Sequence, residues 1–258
     1  MTRTLVLIGA ASVVCLGGLT PAVRPATAAQ AEKTIDATVH NGYFQPFLVT
    51  ANVGDSIVWK NVDSHTHQIA AAIAPPSLEG SRFPVSVEPN QTARATLTRA
   101  GIYDLYGADA ATYDAKLGRV VAHKGEPPYP IPMEQILVVM GPAFTPAPKS
   151  GATVVAPADY FQPYVTVVQQ GATITFHNAD TDPHIAMATP GSPNRFPATL
   201  SMPGGKSAPV TFSAAGVYQY YCALHATYRA AYQRSAANHD ADAYPTAMEG
   251  VVVVLPKP

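Results

Sequence analysis

One pattern occurs twice along this chain, and that repeat limits its fold more than any other feature. Tyr43-Phe44-Gln45-Pro46-Phe47 recurs as Tyr160-Phe161-Gln162-Pro163-Tyr164. The run from Gly54 to Asp63, with Ile57, Trp59 and Asn61, recurs from Gly171 to Asp180 with Ile174, Phe176 and Asn178. Arg82-Phe83-Pro84 answers Arg195-Phe196-Pro197, and Ala100-Gly101-Ile102-Tyr103 answers Ala215-Gly216-Val217-Tyr218. Thr112-Tyr113 answers Thr227-Tyr228; Tyr129-Pro130 and Met133 answer Tyr244-Pro245 and Met248. Each copy has about the length of an ordinary domain. The boundaries expected are 32–141 for the first and 153–258 for the second, joined by a stiff Pro-rich linker over 142–152.

Within each copy the apolar residues come in short β-branched bursts bounded by Gly, Asn, Asp and Pro. Phe47 to Val53, Thr173 to Phe176, Val217 to Tyr221 and Val251 to Leu255 are examples. Bursts of that length and spacing predict all-β halves, each a β-sandwich. Two stretches break the style. Ala111 to Val121 and Ala226 to Ala237 carry Ala, Tyr and charges, and each is read as a long loop, with room for a short helix, before the last strand.

The N-terminus sets the compartment. Arg3, an apolar run from Leu5 to Leu16 and the small-residue stretch Ala26-Thr27-Ala28-Ala29 form the pattern of a secretory signal peptide over 1–28, cleaved after Ala28. The apolar run is too short to anchor in a bilayer, which takes roughly 20 residues, and no second stretch is long enough to span. A periplasmic or extracellular protein is therefore expected. Of 16 basic residues, loss of Arg3 and Arg24 leaves 14 against 17 acidic ones, a formal charge of −3. That balance gives no electrostatic footprint for nucleic acid. Of the two cysteines, Cys15 leaves with the signal and Cys222 remains. A lone thiol in an oxidising compartment needs burial, an intermolecular partner or a metal.

Cys222 has the company a metal requires. The second copy carries His184 after an Asn-x-Asp turn, Cys222-Ala223-Leu224-His225 after a strand, and Met248 before the last strand. A thiolate, two imidazoles and a thioether form the ligand set of a blue-copper site, with cysteine and histidines in a trigonal plane and methionine weakly axial. Soft sulfur stabilises Cu(I) and imidazole suits Cu(II), so one site tolerates both states. Because residues 226–247 intervene between His225 and Met248, Met187 or a water are other claimants for the axial place, and the His239 imidazole would make the site something other than ordinary blue copper.

These residues, read from Gly171-x-x-Ile174-x-Phe176-x-Asn178-x-Asp180-x-x-x-His184 through Tyr221-Cys222-x-x-His225 to Met248-Glu249-Gly250-Val251, resemble the cupredoxin family, the plastocyanin and pseudoazurin type in particular. The resemblance implies tandem Greek-key sandwiches, with His184, Cys222 and His225 as strong copper ligands and Met248 as the axial one. The first copy matches as a fold but departs at the site. His67 and Met133 align with His184 and Met248, whereas Gly107 and Ala110 stand where Cys222 and His225 are. Without the thiolate there is no blue-copper centre, so one type 1 copper per chain is expected. His65-Thr66-His67, with His40 and His123, offers an imidazole-only site for Cu(II) or Zn(II) as a separate possibility.

The expected function is one-electron transfer to redox partner proteins, with the first copy available for docking. Copper storage, delivery or resistance uses the same four ligands. A two-domain copper enzyme resembling nitrite reductases is the third reading. It requires a further histidine-bound copper, and the family's histidine directly before the cysteine is here Tyr221.

Overall fold

The computed structural model describes residues 32–73 and 84–257, so the expected signal peptide, with Cys15, and Arg82-Phe83 of the repeat lie outside the described residues. The first half contains β1 (Thr34–His40), β2 (Tyr43–Gln45), β3 (Leu48–Asn52), β4 (Ser56–Asn61), β5 (His67–Ile73) and β6 (Val85–Val87). It continues with β7 (Thr92–Thr96), β8 (Gly101–Gly107), β9 (Ala111–Asp114), β10 (Arg119–Ala122) and β11 (Glu134–Met140). The second half contains β12 (Lys149–Ala158), β13 (Tyr160–Gln162), β14 (Val165–Asn178), β15 (His184–Ala188) and β16 (Leu200–Met202). It ends with β17 (Ser207–Thr211), β18 (Gly216–Cys222), β19 (Ala226–Arg229), β20 (Arg234–Ala237) and β21 (Glu249–Leu255). The all-β class read from the sequence holds. No helix among the described residues is long and apolar enough to cross a membrane.

In the first half two sheets face each other, in the orders β2-β1-β4-β7 and β3-β11-β8-β5-β6. The second half repeats the order, but β14 runs through both sheets and joins them. Its start pairs with β21, from Val165 with Val251 to Gln169 with Leu255, and its end pairs with β12 and β17. The difference is local. Asp55 accepts from the amides of Lys33 and Asn52 and breaks the chain into β3 and β4. Ala172 at the matching place has no such acceptor, so the strand continues even though Gly171 turns the backbone at φ +82 as Gly54 does at φ +100.

Side-chain alternation divides the interior into three. Leu137 and Val139 face the first core, with Trp59, Tyr103 and Leu105. Val252 and Val254 face the second, with Phe176, Tyr220 and Cys222. The opposite faces of the same strands, Ile136 and Val138 with Val251 and Val253, meet in a third cluster between the halves. Strands β11 and β21 are thus buried on both faces, which explains their unbroken apolar runs. Phe144, from the Pro-rich stretch, is buried in that third cluster. Thr145 bridges to Gly101, and Lys149 to Gly151 already lie in β12.

The stretches that left room for a helix are hairpins, and this corrects the helical expectation. β9 pairs with β10 and β19 with β20; among the described residues the only helical piece is a single 3-10 turn over Ala230–Tyr232. In the first hairpin the Asp114 carboxylate accepts from the amides of Lys116 and Leu117, and Gly118 turns the chain at φ +64. Local turn chemistry and paired Thr, Tyr and Val outweigh alanine's helical preference.

Each hairpin carries an arginine to the other half. Arg119 Nη1 donates to the Ala247 carbonyl at 2.8 Å, and Arg234 Nη1 donates to the Pro132 carbonyl at 3.2 Å. Arg119 lies over the Tyr164 ring at 4.1 Å and Arg234 over the Phe47 ring at 4.3 Å. Arg234 also binds Glu249 at 2.6 Å and Glu134 of the first half at 2.7 Å. Ala247 and Pro132 directly precede Met248 and Met133. The inserted hairpins therefore lock the two halves together, and both copies need one.

Candidate metal centre

The strand pattern delivers Cys222 to the core. On β18, Tyr218, Tyr220 and Cys222 alternate onto the inner face, and Cys222 is the last residue of the strand. Its amide donates to the Met248 carbonyl at 2.8 Å, and its Sγ accepts from the Ile185 amide at 3.3 Å. His184 opens the neighbouring β15, in which Ala186 pairs with Cys222.

The loop before His184 is built by Asn178. Its side-chain amide donates to the carbonyls of Asp182 at 2.7 Å and Met202 at 2.8 Å, while its oxygen accepts from the Asp180 amide at 2.9 Å. Asn61 builds the same turn in the first half, donating to His65 and Val87. The Asn-x-Asp motif seen twice in the sequence is this turn.

Three ligand atoms converge. His184 Nδ1 lies 3.0 Å from His225 Nδ1, and Cys222 Sγ lies 3.6 Å from the same His225 nitrogen. His184 and Cys222 are fully buried, whereas the His225 side chain keeps 17% of its exposure. Burial, followed by the neighbouring His225, lowers the pKa of His184, which favours the neutral imidazole that metals bind. Its other nitrogen, Nε2, approaches Asp180 Oδ2 at 3.3 Å, while Nδ1 faces His225 Nδ1. Met248 is fully buried in the same core as Cys222. One thiol and two imidazole nitrogens turned toward a common point suit a copper ion.

Other sequence candidates lie elsewhere. Met187 pairs with Tyr221 and lines a surface cleft with Pro190 and Phe196. His239 packs against Tyr244 at 4.9 Å, and His177 bonds Ser207. The imidazole-only site is not assembled. Among the described residues, the groups able to hold a metal all include His184. His40 stacks on Tyr43 and bonds Thr38, His65 is exposed, and His123 bonds Thr112. His67 is clamped at both nitrogens by carboxylates, Nε2 to Asp63 and Nδ1 to Asp109, each at 2.7 Å.

One residue at the centre escapes the sequence reading. Asp159, 3% exposed at its side chain, points Oδ1 at His225 Nδ1 from 3.0 Å and at His184 Nδ1 from 3.9 Å.

No family model matches this chain, and no curated protein matches it. Solved structures do show likenesses. A reduced amicyanin mutant is 18% identical, with 42% of this chain and 82% of that one covered and a TM-score of 0.30. A purple cupredoxin from Nitrosopumilus maritimus is 18% identical, covering 40% of this chain and 99% of that one at a TM-score of 0.29. A copper-containing nitrite reductase from Thermus scotoductus is 16% identical, covering 87% of this chain and 68% of that one at 0.31.

Proposed function

We propose that this protein is an exported type 1 copper protein that carries single electrons, with one copper per chain in the second half. The convergence of the buried Cys222 thiol with His184 Nδ1 and His225 Nδ1 supports the reading. His184, Cys222 and His225 would hold the copper as its strong donors, with the Met248 thioether as a weaker one. Copper supplies a one-electron couple when bound.

The chain's own residues do the rest. Cys222 offers a soft sulfur donor, and its Sγ accepts a hydrogen bond from the Ile185 amide that fixes its position. Tyr220 and Phe176 in the core behind it exclude water. Asn178 and the Cys222–Met248 backbone bond fix the ligand loops in place, so little rearrangement accompanies a change of oxidation state. His225 is the one strong ligand with a solvent edge, and exposed Leu224 beside it gives an apolar contact for a redox partner. One electron enters and leaves by that edge, and no bond in a substrate is made or broken.

Copper loading under oxidising conditions is expected to give an intense visible thiolate-to-copper band and one Cu(II) signal per chain, and the band is expected to be lost in Cys222→Ala. A reversible midpoint potential marks a carrier, whereas a purely handling role shows tight Cu(I) binding without reversible cycling. Absence of the thiolate band after loading would falsify the assignment.

A further inference from the structure

Asp159 is buried beside the centre, and Oδ1 finds no hydrogen-bond partner of good geometry there. A buried carboxylate oxygen is costly unless something positive meets it. What it faces is the metal-binding edge of two histidines, at 3.0 and 3.9 Å from their Nδ1 atoms. The spacings are those of donor atoms sharing one ion: oxygen and nitrogen ligands about 2.0–2.2 Å from a metal lie roughly 3–4 Å from one another. Its other oxygen, Oδ2, accepts from the Asp242 amide at 2.7 Å. That bond fixes the carboxylate's aim, and the amide comes from the segment between His225 and Met248.

The repeat supplies an internal control. Asp159 stands before Tyr160 as Gly42 stands before Tyr43, and Asp242 precedes Tyr244 as Pro127 precedes Tyr129. Carboxylate and supporting N–H are thus both absent from the half that lacks the thiolate. There the space is closed: a Cβ on Gly42, which sits at φ +79, would stand 1.5 Å from the Pro127 carbonyl oxygen. The aspartate and its holder occur only with the cysteine.

We infer that Asp159 is an oxygen ligand of the same copper, a donor additional to His184, Cys222, His225 and Met248. The inference rests on the copper reading above and adds an anionic, hard donor to a soft set. Hard oxygen favours Cu(II) over Cu(I), so Asp159 holds the reduction potential down and moves the thiolate band away from that of an ordinary blue site.

The test uses copper-loaded full-length protein, with optical and electron-spin-resonance spectra, Cu(II) and Cu(I) affinities and midpoint potential measured together. Asp159→Asn keeps the shape and removes the charge. It is expected to shift the band and the copper hyperfine splitting, and to weaken Cu(II) binding at least about tenfold, in the range that perturbed metal shells show. A tenfold loss confined to Cu(II) is a rise of about 59 mV in potential. Asp242→Pro, which removes the supporting amide, is expected to move every readout in the same direction by less. Met248→Leu separates the thioether's contribution, and Asp159→Asn is expected to move the Cu(II) affinity further than it does. A wild-type thiolate band that Asp159→Asn leaves unchanged in energy, splitting and potential overturns the assignment of Asp159 alone. Wild-type protein that forms no thiolate–copper bond overturns both readings.

Discussion

Met133 occupies the space that a side chain on Gly107 would need: a Cβ built there would lie 2.1 Å from the Met133 sulfur. Gly107 is the counterpart of Cys222, and Met133 that of Met248. The first half has therefore closed over its site with the thioether that the second half is proposed to keep for metal.

Gly107→Cys is accordingly expected to cost stability without restoring a centre. The new side chain must displace Met133 from a packed core, an overpacking cost of about 1–3 kcal/mol. Ala110 leaves the second imidazole missing. Chemical denaturation should show the loss, and copper titration should still end at one thiolate-bound copper per chain.

His67 shows what replaced the ion. Burial alone lowers its pKa, but hydrogen bonds to Asp109 and Asp63 outweigh burial and raise it, while burial of His184 beside His225 lowers the pKa there. A proton on His67 balances the two carboxylates, where burial in the second half keeps His184 neutral for a metal. A raised folded-state pKa contributes stability that is complete below the unfolded value of about 6.5 and is lost as pH rises through the folded value. Wild-type stability should therefore fall across that window, and His67→Gln should be less stable at pH 6 with a flatter profile above it. Denaturation midpoints across pH 5.5 to 9 check this, and an unchanged profile in His67→Gln contradicts it.

Much of this is legible in the chain because it is written locally. Alternating β-branched bursts, the doubled Asn-x-Asp turn and the Cys-x-x-His loop each draw on near neighbours in sequence, and the structure does bring His184, Cys222 and His225 together. Tertiary relations are not legible in that way. Alanine-rich composition points to helix where Thr112, Tyr113, Val120 and Val121 pair as a hairpin. The single imidazoles of the first half resemble a ligand set, yet strand geometry sends His40, His65 and His123 to separate places. Asp159 is hidden because a lone aspartate before an aromatic reads as a turn. The paired change from Gly42 and Pro127 to Asp159 and Asp242 is the available signal.

Arg234 should be the most sensitive residue of the interface. Burial disfavours its charge, but Glu249, Tyr164 and Glu134 more than compensate and raise its pKa. Arg234→Ala leaves Glu134 and Glu249 buried without their cation and opens a gap beside Phe47. Breaking a buried pair in this way costs about 3–5 kcal/mol. Calorimetry should show a lower Tm, with the copper band retained in the protein that remains folded at low temperature.

Asp104 predicts the opposite sign in the same interface. It is fully buried, and burial, followed by the charge of the nearby Glu134 carboxylate and a side-chain hydrogen bond with it, pushes its pKa well above the usual range. The protein thus keeps it protonated while the unfolded chain releases the proton near pH 4. A group raised in this way contributes stability below the unfolded value and forfeits about 1.4 kcal/mol for each pH unit above it until the folded group ionises. Asp104→Asn preserves shape, removes that loss and places an amide donor beside an acceptor-rich pocket. It should stabilise the protein at pH 7, by about 1.4 kcal/mol for each pH unit over which the folded carboxyl stays protonated and the unfolded one is ionised. The gain should shrink steadily as pH falls toward 4. Urea denaturation of both proteins at pH 4, 5.5 and 7 measures it, and a gain that does not shrink with falling pH would show that Asp104 is ionised in the folded state.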